Sequence, residues 1–212
     1  TLVLGTTNDY TNGTLLSAGT LAISNATALG STASKLTIAG GTLNSVVSNL
    51  IMTANNPQDW IGNFAFTGTQ NLDIGTGTVT LNATRTVTAN ANTLTVGGAI
   101  GGGAGYGLTK AGAGTLTLTG ASPYTGKTTV SAGTLSIGSL NKVSGGSANS
   151  NLGAPTTVAN GTISIGSAGT AGTLVYTGTG ETTDRVLDLA GTTGGVTIDQ
   201  SGAGLLKFAS DM

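Results

Sequence analysis

The stretch that decides the fold is Gly107-Leu-Thr-Lys-Ala-Gly-Ala-Gly-Thr-Leu-Thr-Leu-Thr-Gly-Ala-Ser-Pro-Tyr-Thr-Gly-Lys-Thr-Thr-Val-Ser-Ala-Gly-Thr-Leu-Ser-Ile-Gly138. Apolar and hydroxyl residues alternate in two runs within it, 115–119 and 134–137. A period of two is that of a β-strand, because successive side chains point to opposite faces. The pattern predicts two strands with a turn at 122–126 between them. We expect one face to be buried (Leu116, Leu118, Leu135 and Ile137) and the other to be exposed (Thr115, Thr117 and Thr134).

The same order of residues occurs at the start of the chain, about 114 residues earlier. Segments 1–4, 10–13 and 17–23 correspond to segments 115–118, 124–126 and 131–137. The correspondence continues where Ala28-Leu29-Gly30 matches Asn151-Leu152-Gly153. Internal repetition on this scale is typical of stacked repeat architectures.

A smaller unit, a glycine followed by alternating inward apolar residues, recurs at intervals near 11 or 20 residues, for example at 77–81, 172–176 and 195–198. This spacing indicates coils of about 20 residues with two or three short strands each. Identical units gain most by stacking on copies of themselves, which favours a parallel β-solenoid over a hairpin meander or a β-sandwich. We predict one continuous solenoid over residues 1–212, without an internal domain boundary and with nine or ten coils.

The composition closes several functional classes. The chain has 37 glycines, about 40 threonines, 7% charged residues, net charge −1, and neither histidine nor cysteine. Without a basic stripe, nucleic-acid binding has no electrostatic support. Nucleophilic sites with an imidazole base need histidine, and structural zinc needs cysteine or histidine. We therefore expect no catalysis, no metal, no cofactor, no nucleic-acid partner and no membrane insertion by this segment.

Three patterns resemble functional sites. Residues 121–128 fit a relaxed phosphate-loop pattern, but strand-like residues follow where a helix N-terminus is required. Asp184 and Asp188 could form the carboxylate pair of a glycosidase, although a solvated corner with a weak ion pair to Arg185 is the simpler interpretation. Outward threonine rows could order water as ice-binding solenoids do, although alternating threonines are also typical of any charge-poor strand surface.

Two regions interrupt the repeats. Segment 45–66 contains Trp60, the only tryptophan. Trp60 either packs over a coil edge or is exposed for carbohydrate or protein contact. Residues Lys142–Ser150 are an insertion relative to the first copy, and their composition predicts a mobile loop.

The opening stretch resembles the passenger-associated repeat of bacterial autotransporters, a family of secreted and surface proteins. The residues that carry the resemblance are 107–120, 124–126 and 129–135, with partial matches at 1–23 and 202–208. The resemblance implies a right-handed parallel β-helix that is exported and displayed at the cell surface. Because the quoted chain has neither a signal peptide nor the family's C-terminal barrel, we expect it to be a segment of a longer protein.

Three functions follow as hypotheses. The first is a structural segment of an exported, adhesin-like protein, a rigid stalk or self-associating scaffold at the extracellular or outer-membrane surface of a bacterium. Its expected partners are neighbouring copies or flanking repeats, stacked end to end. The second is an adhesion module whose loops contact a host or matrix glycan or protein. The third is a polysaccharide-active β-helix enzyme.

Overall fold

The computed structural model describes residues 1–144 and 149–210 and is built almost entirely of short strands. In chain order its elements are β1 (Leu2–Leu4), β2 (Thr14–Leu16), β3 (Thr20–Ile23), β4 (Leu36–Ile38), β5 (Thr42–Ser45), β6 (Leu50–Ile51), β7 (Gln58–Trp60), β8 (Phe64–Phe66), β9 (Leu72–Asp73), β10 (Val79–Leu81), β11 (Arg85–Ala89), β12 (Thr93–Val96), β13 (Ile100–Gly102), β14 (Leu108–Ala111), β15 (Thr115–Leu118), β16 (Thr128–Val130), β17 (Gly133–Ile137), α1 (Val158–Gly161), β18 (Ile163–Ala168), β19 (Gly172–Tyr176), β20 (Glu181–Thr183), β21 (Leu187–Gly191), β22 (Val196–Gln200) and β23 (Leu206–Phe208).

These strands form three long sheets, and strands that follow each other in the chain lie in different sheets. The first sheet has the order β1-β3-β5-β8-β11-β14-β16-β18-β21, the second β6-β9-β12-β15-β17-β19-β22, and the third β2-β4-β7-β10-β13; β20 pairs with β23 alone. The paired strands run parallel. A meander or sandwich would instead pair sequence neighbours in antiparallel fashion. The topology therefore confirms the predicted all-β solenoid.

Within the described residues, each strand of the first sheet belongs to a different coil, which gives about nine coils. Neighbouring strands in a sheet are separated by 4.7–4.9 Å, so nine layers make a stack about 40 Å long. Both values agree with the coil size expected from the glycine spacing.

The core is a set of columns in which like residues stack on like. In the second sheet one column consists of Leu50, Leu72, Leu94, Leu116, Leu135 and Leu174, all paired in register and buried. The predicted burial of Leu116, Leu118, Leu135 and Ile137 is confirmed. The predicted exposure of Thr115, Thr117 and Thr134 is wrong in degree. Each is half-buried, because its neighbours above and below in the outward column cover its sides.

The third side of the solenoid changes character beyond β13. There, segments 122–124 and 150–154 continue the stack through single hydrogen bonds, such as Ser122 N to Ser150 O at 2.8 Å and Ala154 N to Tyr124 O at 2.8 Å. The described parts of the predicted insertion Lys142–Ser150, residues 142–144 and 149–150, lie on this side. Its central residues, 145–148, lie outside the described residues, so its mobility stays a prediction.

Trp60 is an inward residue of β7 and is completely buried. Its indole Nε1 donates to Gln58 Oε1 at 3.0 Å, and its ring meets Phe64 edge-on with centroids 5.0 Å apart. The alternative of an exposed tryptophan is therefore wrong. Burial of the ring stabilises the core, and the Gln58 amide satisfies the indole N–H that burial removes from water.

Candidate functional site: the repeated tyrosine and turn contact

Each copy of the long repeat contains the same tyrosine–threonine hydrogen bond. The Tyr10 hydroxyl lies 2.5 Å from Thr14 Oγ1, and the Tyr124 hydroxyl lies 2.7 Å from Thr128 Oγ1. Tyr124 is buried, and burial raises its pKa to about 12. The phenol therefore stays neutral at physiological pH, and its hydroxyl is held in the coil interior by the hydrogen bond with Thr128.

A Leu-Gly turn from the next coil packs against each tyrosine. The carbonyl of Tyr10 accepts from Ser31 N at 3.1 Å, and the carbonyl of Tyr124 accepts from Ala154 N at 2.8 Å. Gly30 and Gly153 precede these donors and have φ of +82° and +75°. A Cβ would lie 2.4 Å from the Tyr10 carbonyl oxygen at Gly30 and 2.3 Å from that of Tyr124 at Gly153. Glycine is required at both positions by backbone conformation and by close approach.

The two copies occupy different sides of the solenoid. Thr14 opens β2, and the ladder β2-β4-β7 runs through the third sheet. Thr128 opens β16, and the equivalent ladder β16-β18-β21 runs through the first sheet. The second copy is thus displaced by one of the three sides of the solenoid, yet it keeps the tyrosine–threonine hydrogen bond and the Leu-Gly turn. The sequence correspondence across about 114 residues therefore describes a structural unit that is repeated one side further around the solenoid axis.

Lys110, in the second copy's leading motif, is buried in the column between Val87 and Val130. Its Nζ donates to the carbonyl oxygens of Ala111, Gly112 and Ala132 at 2.9, 2.8 and 3.0 Å. Burial lowers the pKa of Lys110 to about 8. The amine thus binds carbonyls of two neighbouring coils. The sequence analysis did not identify this lysine as buried.

The segment 181–184 binds residues 140–144 of the preceding coil, where the insertion begins. Glu181 accepts from Leu140 N at 2.6 Å and from Asn141 N at 2.9 Å, and Thr183 Oγ1 donates to the carbonyl of Asn141 at 2.6 Å. Asp184 accepts from Val143 N at 2.6 Å and from Ser144 N at 2.9 Å.

Asp184 carries a perturbed pKa at this contact. Burial alone raises the pKa of the carboxyl, but hydrogen bonds from the Ser144 hydroxyl and from the backbone N–H groups of Val143 and Ser144 outweigh it and lower the pKa to about 2. Bonds to the ionised form favour that form. The carboxylate is therefore a structural anchor for residues 143–144.

The predicted solvated corner at Asp184, Arg185 and Asp188 is wrong. Arg185 is buried, and its guanidinium donates to carbonyls of the preceding coil rather than to either carboxylate. Asp188 accepts from Ser164 Oγ at 2.6 Å and lies 3.5 Å from Lys127 Nζ. The Ser164 hydrogen bond lowers the pKa of Asp188. The two carboxylates thus have separate structural partners, and the geometry gives no support to a glycosidase pair.

The phosphate-loop lookalike at 121–128 leads directly into strand β16, so the helix that a phosphate loop requires does not follow it. Among the described residues, no group of three or more carboxylate, histidine or cysteine side chains is placed to hold a metal ion. No helix in the described part of the chain is long and apolar enough to cross a membrane.

The described surface also has grooves lined partly by polar groups. One, of about 270 Å³, is bordered by Asn71, Asp73 and Thr95, and the other, of about 490 Å³, by Leu15, Lys35 and Ile61. Asn71 Nδ2 donates to Asn49 Oδ1, and Lys35 pairs with Asp59 at 2.8 Å, so polar groups of both grooves are already engaged by the protein.

The fold and its repeated internal contacts define a parallel β-solenoid repeat protein. The family described as passenger-associated-transport-repeat has a sequence model that matches residues 1–23 and 108–137, which is about a quarter of the chain. These are the two segments in which the tyrosine contact is built, and the match confirms the resemblance drawn from the sequence. Comparison with curated proteins and with solved structures gives no match.

Proposed function

We propose that this chain is a structural segment of an exported, surface-displayed protein, in which it acts as a rigid spacer without catalysis. The observation that carries the proposal is the parallel pairing of the first sheet through nine strands in the described residues, with one local register shift between Ile165 and Ala168. A stack of coils whose inward residues form columns resists bending, because neighbouring coils are paired through the first sheet along the whole stack and through the second sheet from β6 onward. Display outside the cell rests on what the repeat family implies.

The test places residues 1–212 between an outer-membrane anchor and a distal epitope carrying a fluorophore. Energy transfer to a dye in the membrane measures the height of the epitope. A rigid solenoid holds it about 40 Å further out than the anchor alone. The control replaces the segment with a Gly/Ser linker of equal length, whose end-to-end distance is broadly distributed. A distance distribution as broad as that of the linker overturns the proposal.

The proposal includes partners that cover the terminal strands. In the last described coil, Leu189 pairs with Ile165 and Ile198 pairs with Leu174. Ile165 and Leu174, in the preceding coil, are fully buried, whereas Leu189 and Ile198 are 59% and 43% exposed. Apolar positions in register with a core column favour coverage by flanking repeats or by a second copy.

Light scattering over a concentration series tests this part independently of the spacer role. The double variant Leu189→Glu/Ile198→Glu should associate less than the wild-type chain does. Leu15→Glu, on the outward face, is the matched control and should associate as the wild type does. A strictly monomeric wild-type chain at high concentration, with protected amides in β21 and β22, contradicts the stacking partner and leaves the spacer role standing.

A further inference from the structure

The repeat match stops at residues 23 and 137, but the contacts that involve the tyrosines continue onto two further coils. In the first copy, Asn56 reaches back from the third coil, is 3% exposed, and donates through Nδ2 to the carbonyls of Ser31 and Ser34 at 2.8 and 2.9 Å and to that of Leu29 at 3.3 Å. These carbonyls flank the Leu-Gly turn that packs on Tyr10.

In the second copy, Arg185 makes the corresponding contact. Its Nη1 donates to the carbonyl of Leu152 at 2.8 Å, and its Nη2 donates to that of Gly153 at 3.2 Å and approaches Ser150 Oγ at 3.4 Å. Leu152 matches Leu29 in the alignment of the two copies. Arg185 is 1% exposed. Both donors therefore serve the carbonyl of the same turn leucine from one coil further along the chain.

The two donors also hold the same position relative to the strands. Asn56 lies two residues before Gln58, the first residue of β7, and Arg185 lies two residues before Leu187, the first residue of β21. β7 and β21 are the third strands of the equivalent ladders β2-β4-β7 and β16-β18-β21. This coincidence persists although the copies lie on different sides of the solenoid and the residue types differ.

Each donor also leaves one buried atom unpaired, Asn56 Oδ1 and Arg185 Nε, among the described residues. An unpaired buried polar atom costs free energy that an apolar side chain would avoid. The carbonyls of Ser31 and Gly153 also accept from Ser34 N and from Ser150, whereas an apolar replacement would take the donor away from the carbonyl of the turn leucine, Leu29 or Leu152.

We infer that the transport repeat is a three-coil unit: the tyrosine of one coil, the Leu-Gly turn of the next, and a buried donor of the third, Asn56 or Arg185, which is the positioning residue that locks the turn. The turn is held on one side by the tyrosine carbonyl and on the other by the donor. It therefore becomes fixed only when the third coil has been laid down. In the second copy, Glu181 and Asp184 additionally bind residues 140–144, where the longer insertion begins.

This inference concerns the folding unit of the repeat and goes beyond the spacer role, which can fail or stand without it. The test uses Arg185→Met, which keeps most of the side-chain volume and removes the donors. Lys142 is exposed and lies between β17 and the second Leu-Gly turn. Trypsin cleavage after Lys142 reports opening of the second unit. Trp60 fluorescence during denaturant unfolding reports the first unit, since Trp60 lies in β7.

Arg185→Met should raise the rate of cleavage after Lys142 on the order of tenfold or more, because hydrogen bonds from a charged group are lost and the buried carbonyl of Leu152 loses its guanidinium donor. The Trp60 midpoint should not move. Arg85→Met is the control, since Arg85 is partly exposed and donates to the carbonyl of Trp60 outside the second unit. Asn56→Leu should give the reverse pattern, with a lower Trp60 midpoint and wild-type cleavage at Lys142.

Two results overturn the inference. One is cleavage after Lys142 in Arg185→Met at the rate of wild type or of Arg85→Met. The other is an equal shift of both readouts in Arg185→Met and in Asn56→Leu, which would reveal general destabilisation. If Arg185→Met yields no folded protein, Arg185→Lys takes its place. Arg185→Lys keeps the charge but not the two-pronged donor, and undiminished protection of Lys142 in that variant also overturns the inference.

Discussion

Leu118→Ala tests whether stacked columns stabilise the solenoid. Leu118 is 1% exposed and is paired in register with Val96 and Ile137, which are fully buried. The substitution removes three carbon atoms, each worth about 0.8 kcal/mol of burial. The neighbours above and below belong to continuous strands and can collapse only partly, so a cavity cost adds to the transfer cost. We expect a loss of about 3 kcal/mol in the free energy of unfolding.

The assay is thermal unfolding followed by circular dichroism. For a chain of this length, 1 kcal/mol corresponds to about 2–4 °C in Tm, so the variant should melt about 6–12 °C below wild type. Thr117→Val is the matched control, because it alters the outward residue next to Leu118 while keeping a β-branched side chain. It should stay within about 0.5 kcal/mol of wild type. A Tm for Leu118→Ala within about 2 °C of wild type would refute the argument that the column carries the stability.

Gly153→Ala should be strongly destabilising, because it forces a positive φ on alanine and places a Cβ against the Tyr124 carbonyl; Gly195→Ala, where a Cβ meets nothing within 4 Å, is the control in the same denaturant titration. Asp184 has a folded-state pKa of about 2 against an ordinary 3.8, so its contribution is present above pH 3.8 and is lost as pH falls towards 2. Asp184→Asn should flatten the pH dependence of unfolding in that window, and an unchanged slope would exclude the anchor. For Lys110 the folded-state pKa of about 8 lies below the ordinary 10.5, so the unfolded chain binds the proton more tightly between these values. The free energy of unfolding should therefore rise as pH increases from about 8 to about 10.5, and Lys110→Met should abolish that rise.

The strands and their stacking could be predicted because the signal is local and repeated. Alternation in 115–118 sets the face of β15, and recurrence of the same unit at coil spacing makes parallel stacking the arrangement in which like residues meet. The tyrosine contact could also be located, because Tyr10 and Tyr124 stand at equal places in the two copies, each four residues before a threonine.

Buried polar residues could not be predicted, because their partners lie one coil away. Arg185 stands between Asp184 and Val186 in a charged context that is typical of a solvated corner, and only the carbonyls of Leu152 and Gly153 explain its burial. Trp60 likewise follows the polar run 55–59, which reads as a loop. One weaker feature of the sequence does indicate that Trp60 is buried. Gln58 and Trp60 stand two residues apart, as Leu36 and Ile38 do one coil earlier, and they pair with them in register.

The overlap of tyrosine, turn and donor across three coils has a consequence for how such a chain can change length. Deleting the coil between a donor and its tyrosine would leave the amide of Asn56 or the guanidinium of Arg185 facing no carbonyl. Arg85 and Asn92, between β10 and β13, also donate to carbonyls one coil earlier, but neither contacts a tyrosine or its Leu-Gly turn. Removing a coil between the two units would therefore leave both units whole. Recombination should therefore lengthen or shorten solenoids of this kind between units, and duplicate each unit only as a block of three coils.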